Sequence, residues 1–294
     1  MVLCSDMGYH NQGVAQCSLV DSPDGKWYAM LFQDRGAIGR LPILVPVTFQ
    51  DNLPVFGVKG DMRAPFSVES TRPDYVYEPL YCSDKFTRSG NTEKGKMLKK
   101  QWQWNHEPDN SLWWLRDKGG LCIRTDKIST NLIQARNTLT QRCIFPKSEA
   151  RVTIQGQMLK EGDYAGLCVM QGCYGFIGIT RELNRYYLVV ISRELKDYPM
   201  GDVVPDYLPG TCQEKFLLDS PQATVGITTD FEDMEDTAQF YYQIGERRME
   251  PVGKPHRMYF KVDHFTGAHY GLSVYSTKEA GGYACFTDFT YLDM

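Results

Sequence analysis

The 294-residue chain contains no apolar run near the roughly 20 residues that a bilayer-crossing helix needs, which excludes a helical membrane span. It also lacks any excess of basic charge. Its 32 Lys and Arg are interspersed with 36 Asp and Glu for a net charge of -4, so neither nucleic acid nor an acidic membrane surface is an expected partner. The opening MVLCSDMGYHNQG has neither the basic nor the apolar region of a secretory signal, so the chain as given reads as soluble, unexported and cytoplasmic. There is no GxSxG elbow, phosphate-binding loop or dinucleotide fingerprint. Nine cysteines form no CxxC pair, and their odd number cannot be fully paired within one chain. They are expected to be buried small hydrophobes in a reducing compartment. A zinc site would need clustered Cys and His, whereas the five histidines are scattered and only His264 and His269 lie close together.

The chain is rich instead in rings and turn formers: 18 Tyr, 14 Phe and 5 Trp beside 26 Gly and 15 Pro. That composition favours short strands joined by tight turns, and aromatic rings suit both a sandwich core and stacking on sugars. GVAQCSLVD (13–21), KWYAMLFQD (26–34), RLPILVPVTFQD (40–51) and LPVFG (53–57) read as four short strands, with Asp24-Gly25 as a hairpin turn. Four such strands make one propeller blade or one small sheet, and a lone blade must pack on something to cover its face. The polar, Pro-bearing stretch 58–100 reads as a connection between two domains, taken as 1–80 and 81–294. Strand signals then recur every 10 to 15 residues to Met294, among them YYLVVIS (186–192) and ATVGITTDF (223–231). Nine or ten strands at that spacing fit an antiparallel sandwich, with Val225, Ile227, Thr229 and Phe231 alternating inward. Residues 129–142, STNLIQARNTLTQR, carry near-helical spacing, and pattern alone leaves helix or strand open there. The acidic run DFEDMED (230–236) reads as a solvated hairpin connection.

Taken as a block, residues 7–57 from MGYHNQG to LPVFG resemble the last propeller blade of glycoside hydrolase family 43, the β-xylosidases and α-L-arabinofuranosidases. LKKQWQWNHEPDNSLWWL (98–115), EGDYAGLCVMQGCYGFIGI (161–179) and FTGAHYGLSVYSTKEAGGYACFTDFTYL (265–292) resemble the concanavalin-like sandwich that follows the propeller in many members. The resemblance implies an all-β fold, one partial β-propeller blade packed on a concanavalin-like antiparallel β-sandwich. It implies hemicellulose as the substrate class, a plant cell-wall oligosaccharide containing xylose or arabinose. Family members place three catalytic carboxylates on blades before the point matched by residue 1, and none of this chain's carboxylates aligns with them. Acid-base cleavage of a glycosidic bond requires a matched pair of carboxyl groups.

Within that resemblance, His10 in GYHNQG matches a blade histidine near the central channel, where family members hold calcium or water. Its alternatives are metal contact and an ordinary hydrogen bond. Arg40 in AIGRLP matches an arginine that reaches sugar hydroxyls, for which a planar guanidinium is suited; an ion pair is its structural alternative. Trp102 and Trp104, clustered with Trp113, Trp114, His106, Glu107 and Asp109, are either interface packing or a sugar platform. His264 and Phe265, in the VDHFTGAHY loop, are candidates to cap the propeller pocket, and Asp288 is a candidate ligand for a structural Ca2+. The readings that follow are a hydrolase, a non-catalytic carbohydrate-binding or structural module, and a half-propeller completed by another chain, including a homo-oligomer that covers the open blade edge.

Overall fold

The computed structural model describes residues 3–87, 98–194, 207–258 and 266–294. The first sheet is an antiparallel meander in the order β1-β2-β3-β4: β1 (Val14–Asp21), β2 (Trp27–Asp34), β3 (Arg40–Gln50) and β4 (Leu53–Phe56). The Asp24-Gly25 turn forms as its sequence predicts. Gly25 takes φ 79°, a conformation that costs glycine little, and the Ser22 amide donates to the Lys26 carbonyl at 2.8 Å. Asp51 and Asn52, at φ 50° and 62°, make the equivalent tight turn between β3 and β4. One face of this blade buries Ala29, Leu31, Val45 and Val47 with Phe56 and Met62.

The other strands form two seven-stranded antiparallel sheets. They are β5 (Gln103–Trp104), β6 (Trp113–Leu115), β7 (Leu121–Arg124), β8 (Leu139–Arg142), β9 (Lys147–Gln155), β10 (Asp163–Met170) and β11 (Tyr174–Glu182). The series continues with β12 (Arg185–Arg193), β13 (Thr211–Leu218), β14 (Gln222–Asp230), β15 (Thr237–Gln243), β16 (Glu250–Arg257), β17 (His269–Ser276) and β18 (Tyr283–Asp293). One sheet runs β13-β12-β11-β10-β17-β8-β5 and the other β16-β15-β14-β9-β18-β7-β6. Between them Leu167, Ile177, Leu188 and Leu272 meet Val152, Ile154, Val225 and Phe286, all fully buried. The inward alternation read from 223–231 holds, because Val225, Ile227, Thr229 and Phe231 are all buried. The Thr229 hydroxyl is not left unpaired, since the Tyr270 hydroxyl lies 2.8 Å away and Ser148 Oγ 3.0 Å away.

Three readings need refinement. Residues 129–142 are neither one helix nor one strand: Asn131 Oδ1 accepts from the Ile133 amide, a 3-10 turn spans Leu132–Gln134, and β8 follows. Leu132 and Ala135 are buried against Tyr174, Phe176 and Tyr275 on the outer face of the sandwich sheet that contains β11 and β17, so tertiary burial overrides the helical spacing. The connecting stretch joins the sandwich before it ends: Asp84 pairs with Phe289, and the Gln141 side chain holds both backbone groups of Cys82. The expectation of unpaired cysteines is corrected at one pair. Cys122 on β7 and Cys285 on β18 stand directly opposite, with Cα atoms 4.0 Å apart, and are disulfide-bonded across a sequence separation of 163. Cys143, Cys168 and Cys173 are buried free thiols, as expected, but Cys4, Cys17 and Cys212 are exposed, so the burial expectation is corrected there.

Blade and sandwich touch through the β2–β3 turn. Ala37 and Ile38 are buried within the sandwich core, and the Ala268 amide donates to the Ala37 carbonyl at 2.9 Å.

Candidate functional site

The residues singled out in the blade gather at the end that meets the sandwich. His10 sits in a loop that takes φ 52° at Met7, 77° at Gly8, 47° at His10 and 57° at Asn11. A loop so contorted needs external fixing. Gln33, fully buried on β2, supplies it: its Nε2 donates to the Asp6 carbonyl at 2.6 Å and to the Gln12 carbonyl at 2.7 Å, spanning the loop. Inside the loop, the Tyr9 ring packs edge-on to His10 with centroids 4.7 Å apart, and the Arg35 guanidinium lies 3.8 Å over Tyr9. Burial pushes the Tyr9 hydroxyl above its ordinary pKa, opposed by Arg35. His10 Nε2 is 3.5 Å from Asp233 Oδ1, a contact from blade to sandwich.

Arg40 opens β3 directly opposite Asp34 at the end of β2. Its Nε donates to Asp34 Oδ1 at 3.0 Å, and its guanidinium carbon lies 4.2 Å from the Phe32 ring centroid. The carboxylate fixes the direction of the fork and the ring supports its plane. Since successive side chains alternate faces, Gln33 and the His10 loop lie on one face of the blade, and Phe32, Asp34 and Arg40 on the other. The structure thus brings His10 and Arg40 to one end of the blade but to opposite faces.

From the sandwich, the segment between β14 and β15 meets this end. Its reading as wholly solvated is corrected: Phe231 is fully buried and Asp236 is 6% exposed, whereas Glu232 and Asp233 remain in solvent. Burial raises the Asp236 pKa to about 6, against the lowering effects of the Ala37 amide and of Arg257. Gly36, at φ 70°, lies so close that a Cβ there would overlap the carboxylate. Sequence reasoning did not find Gln33, Asp34 or Asp236. Asp34 alone left a trace, six residues before an arginine across a predicted turn.

The sandwich candidates fare differently. Of its two readings Trp102 takes packing, not the sugar platform: it is buried between Phe86 and Phe289, and its Nε1 donates to Asp84 Oδ2 at 3.0 Å. Trp104 is half-buried against Trp113 and borders a groove with Gln103, Thr140, Arg142 and His269, beside Gly267. Burial holds the His269 imidazole below its ordinary pKa, and its Nδ1 lies 3.0 Å from the Gly267 carbonyl. His264 and Phe265 lie outside the described residues. Asp288 sits exposed at a bulge in β18. Among the described residues, no three His, Cys, Asp or Glu side chains assemble a metal site.

Comparison with known proteins places these features. Residues 93–292 match the family of the β-xylosidase C-terminal concanavalin A-like domain. A β-xylosidase of Formosa agariphila is 24% identical over an alignment of 322 residues, covering 96% of this chain and 48% of its own length. Among solved structures, the bifunctional GH43-CE of Bacteroides eggerthii superposes with a TM-score of 0.81 at 36% identity, over 96% of this chain and 34% of that one. A family 43 glycoside hydrolase engineered to display both endo-xylanase and exo-arabinofuranosidase activity gives a TM-score of 0.80 at 25% identity, over 97% of this chain and 56% of that one. The chain spans 32% to 48% of the length of the curated relatives it matches. It belongs to the β-xylosidase C-terminal concanavalin A-like domain family, and its blade and sandwich together correspond to the C-terminal portion of family 43 glycoside hydrolases.

Proposed function

We propose that this chain is the sugar-positioning C-terminal portion of a hemicellulose-directed glycosidase, and that the acid-base carboxylates act from outside it. The observation that carries this reading is Arg40, whose guanidinium is aimed by Asp34 and backed by Phe32 at the blade end gripped by the sandwich. A fork held in plane suits paired sugar hydroxyls, and holding it beforehand lowers the entropy lost on binding. The substrate class is a xylose- or arabinose-containing oligosaccharide, in keeping with the activities named for the relatives. Calorimetric titration with arabinoxylan oligosaccharides tests this. Arg40→Ala is expected to weaken binding at least tenfold while the melting temperature stays within a few degrees, and equal affinity would defeat the reading.

A second reading, completion of the propeller by another copy of the chain, is favoured by one observation. The blade face opposite its small core leaves Val20 53%, Met30 47% and Leu44 40% exposed, and β1 and β4 are both edge strands. Such a face and such edges gain from being covered. Light scattering distinguishes the cases: a dimer mass supports this reading, and a monomer mass across micromolar concentrations rejects it.

A further inference from the structure

Arg142 and Gln103 stand where two grooves of the sandwich meet. Both line a groove of about 290 Å3 with Thr140, Met170, Gln171 and His269, and both also line a neighbouring one of about 470 Å3 with Tyr75, Tyr77, Glu78 and Lys100. Sheet register builds the first groove. His269 on β17 lies opposite Met170 on β10 and opposite Arg142 on β8, and Gln103 on β5 lies opposite Thr140, two residues before Arg142. Alternation puts these side chains together on the outer face, because Leu139, Tyr270 and Leu272, which alternate with them, belong to the core between the sheets. The second groove is walled by residues 75–80, which are tied down by the Gln101 Nε2 bond to the Pro79 carbonyl at 3.2 Å and by the Lys100–Glu78 ion pair at 2.8 Å. There Tyr75 and Tyr77, 48% and 72% exposed, meet edge to face with ring centroids 4.8 Å apart.

Charge is unevenly answered along this trough. Glu78 is paired with Lys100, whereas the exposed Arg142 guanidinium makes no ion pair among the described residues, and no Asp or Glu among them lines the groove it shares with His269. A planar guanidinium matches a carboxylate with two parallel bonds. His269 beside it offers a complementary group. Burial and the Arg142 charge keep the imidazole neutral, and its Nδ1, 3.0 Å from the Gly267 carbonyl, carries the proton, which leaves Nε2 to accept from a hydroxyl. Exposed tyrosine rings at the other end suit the apolar faces of sugar rings. We infer that the trough running from Tyr77 across Arg142 to His269 binds an oligosaccharide that carries a carboxylate, with Arg142 taking the acid, His269 a hydroxyl and the tyrosines the sugar faces. Which sugar bears the acid rests on the hemicellulose-directed reading, under which it is a uronic-acid branch on xylan; the preference for an acid rests on Arg142. The site lies on the sandwich, apart from Arg40 on the blade.

The test is calorimetric titration of the whole chain with xylotriose carrying a glucuronic acid branch and with unbranched xylotriose. The branched ligand is expected to bind at least fivefold more tightly, by a margin that shrinks in high salt. Arg142→Gln, at an exposed position, is expected to remove that margin while the melting temperature stays within a few degrees, and Arg142→Lys to keep part of it. Tyr77→Ala is expected to weaken both ligands at least threefold. Equal affinity for the two ligands, no binding of the branched one at millimolar concentration, or a margin that survives in Arg142→Gln overturns the inference. Arg40→Ala separates it from the reading above. The margin should persist in that variant, and a margin lost there but kept in Arg142→Gln would put the acid on the blade and overturn the inference too. If the margin depends on Arg142 while Arg40→Ala leaves the affinity for arabinoxylan oligosaccharides unchanged, the trough stands and the Arg40 reading falls.

Discussion

His256 on β16 and Ser192 on β12 meet between the two sheets, with imidazole Nδ1 2.6 Å from the serine Oγ. The imidazole is fully buried, and its Nε2 has no partner among the described residues. Burial lowers its pKa from 6.5 to about 4, against the opposing field of Glu194. The unfolded chain therefore takes up a proton before the folded one does. The stability from keeping His256 neutral is complete above pH 6.5 and is lost as pH falls toward 4. At about 1.4 kcal/mol per pKa unit, the loss is on the order of 3 kcal/mol.

Asp236 has the opposite sign. Its pKa rises from 3.8 to about 6, so its contribution is complete below pH 3.8 and is lost as pH rises through 6. The groups around it are the Ala37 amide and Arg257, which favour the carboxylate, and Glu235, which opposes it; Tyr9 lies within its field. Between pH 4 and 6 these two slopes oppose one another in the urea midpoints of the native chain. Asp236→Asn is expected to expose a steep acid loss, and His256→Gln the reverse slope. Parallel midpoint curves for native chain and both variants would show that neither group is shifted.

The Cys122–Cys285 staple joins neighbouring strands across 163 residues. By the chain-entropy account, cross-links over long loops stabilise by about 2–4 kcal/mol in practice. Denatured, unreduced protein should therefore titrate seven thiols and reduced protein nine, and Cys285→Ala should lower the urea midpoint by a comparable energy. Nine thiols in unreduced protein would rule the bond out.

Gln33 holds the His10 loop through two bonds to opposite ends of it. Gln33→Leu removes both donors at nearly the same volume. It should cost about 1–3 kcal/mol and speed amide exchange over residues 6–12, with the sandwich strands unaffected. Exchange spread evenly through both domains would contradict this local role.

The fold was legible because its signals are local. Inward alternation in 223–231, Asp24-Gly25 between apolar runs, and the close spacing of turn residues all follow from strand geometry. Residues 129–142 misled because Leu132 and Ala135 are placed by the outer face of a sheet built from strands 30 to 140 residues later. Arg40 was singled out only through the resemblance of its AIGRLP setting, and its partner Asp34 became visible once β2 and β3 paired. Trp102 reads identically as core or platform until Phe86, Phe289 and Asp84 surround it. Asp236 was concealed in an acidic run whose other members are solvated, and Cys122 gives no sign of Cys285 because pairing register is a property of the sheet. Gln33 carries no motif at all.

The account turns on the division between a portion that orients sugar and carboxylates that cut it. The most direct measurement is product release from aryl β-xyloside and aryl α-L-arabinofuranoside by the highly purified chain alone. No release above buffer is predicted under conditions where the chain still binds arabinoxylan oligosaccharide. Turnover that disappears on replacing a single Asp or Glu of this chain would contradict the account, because it would place the cutting carboxylate inside it.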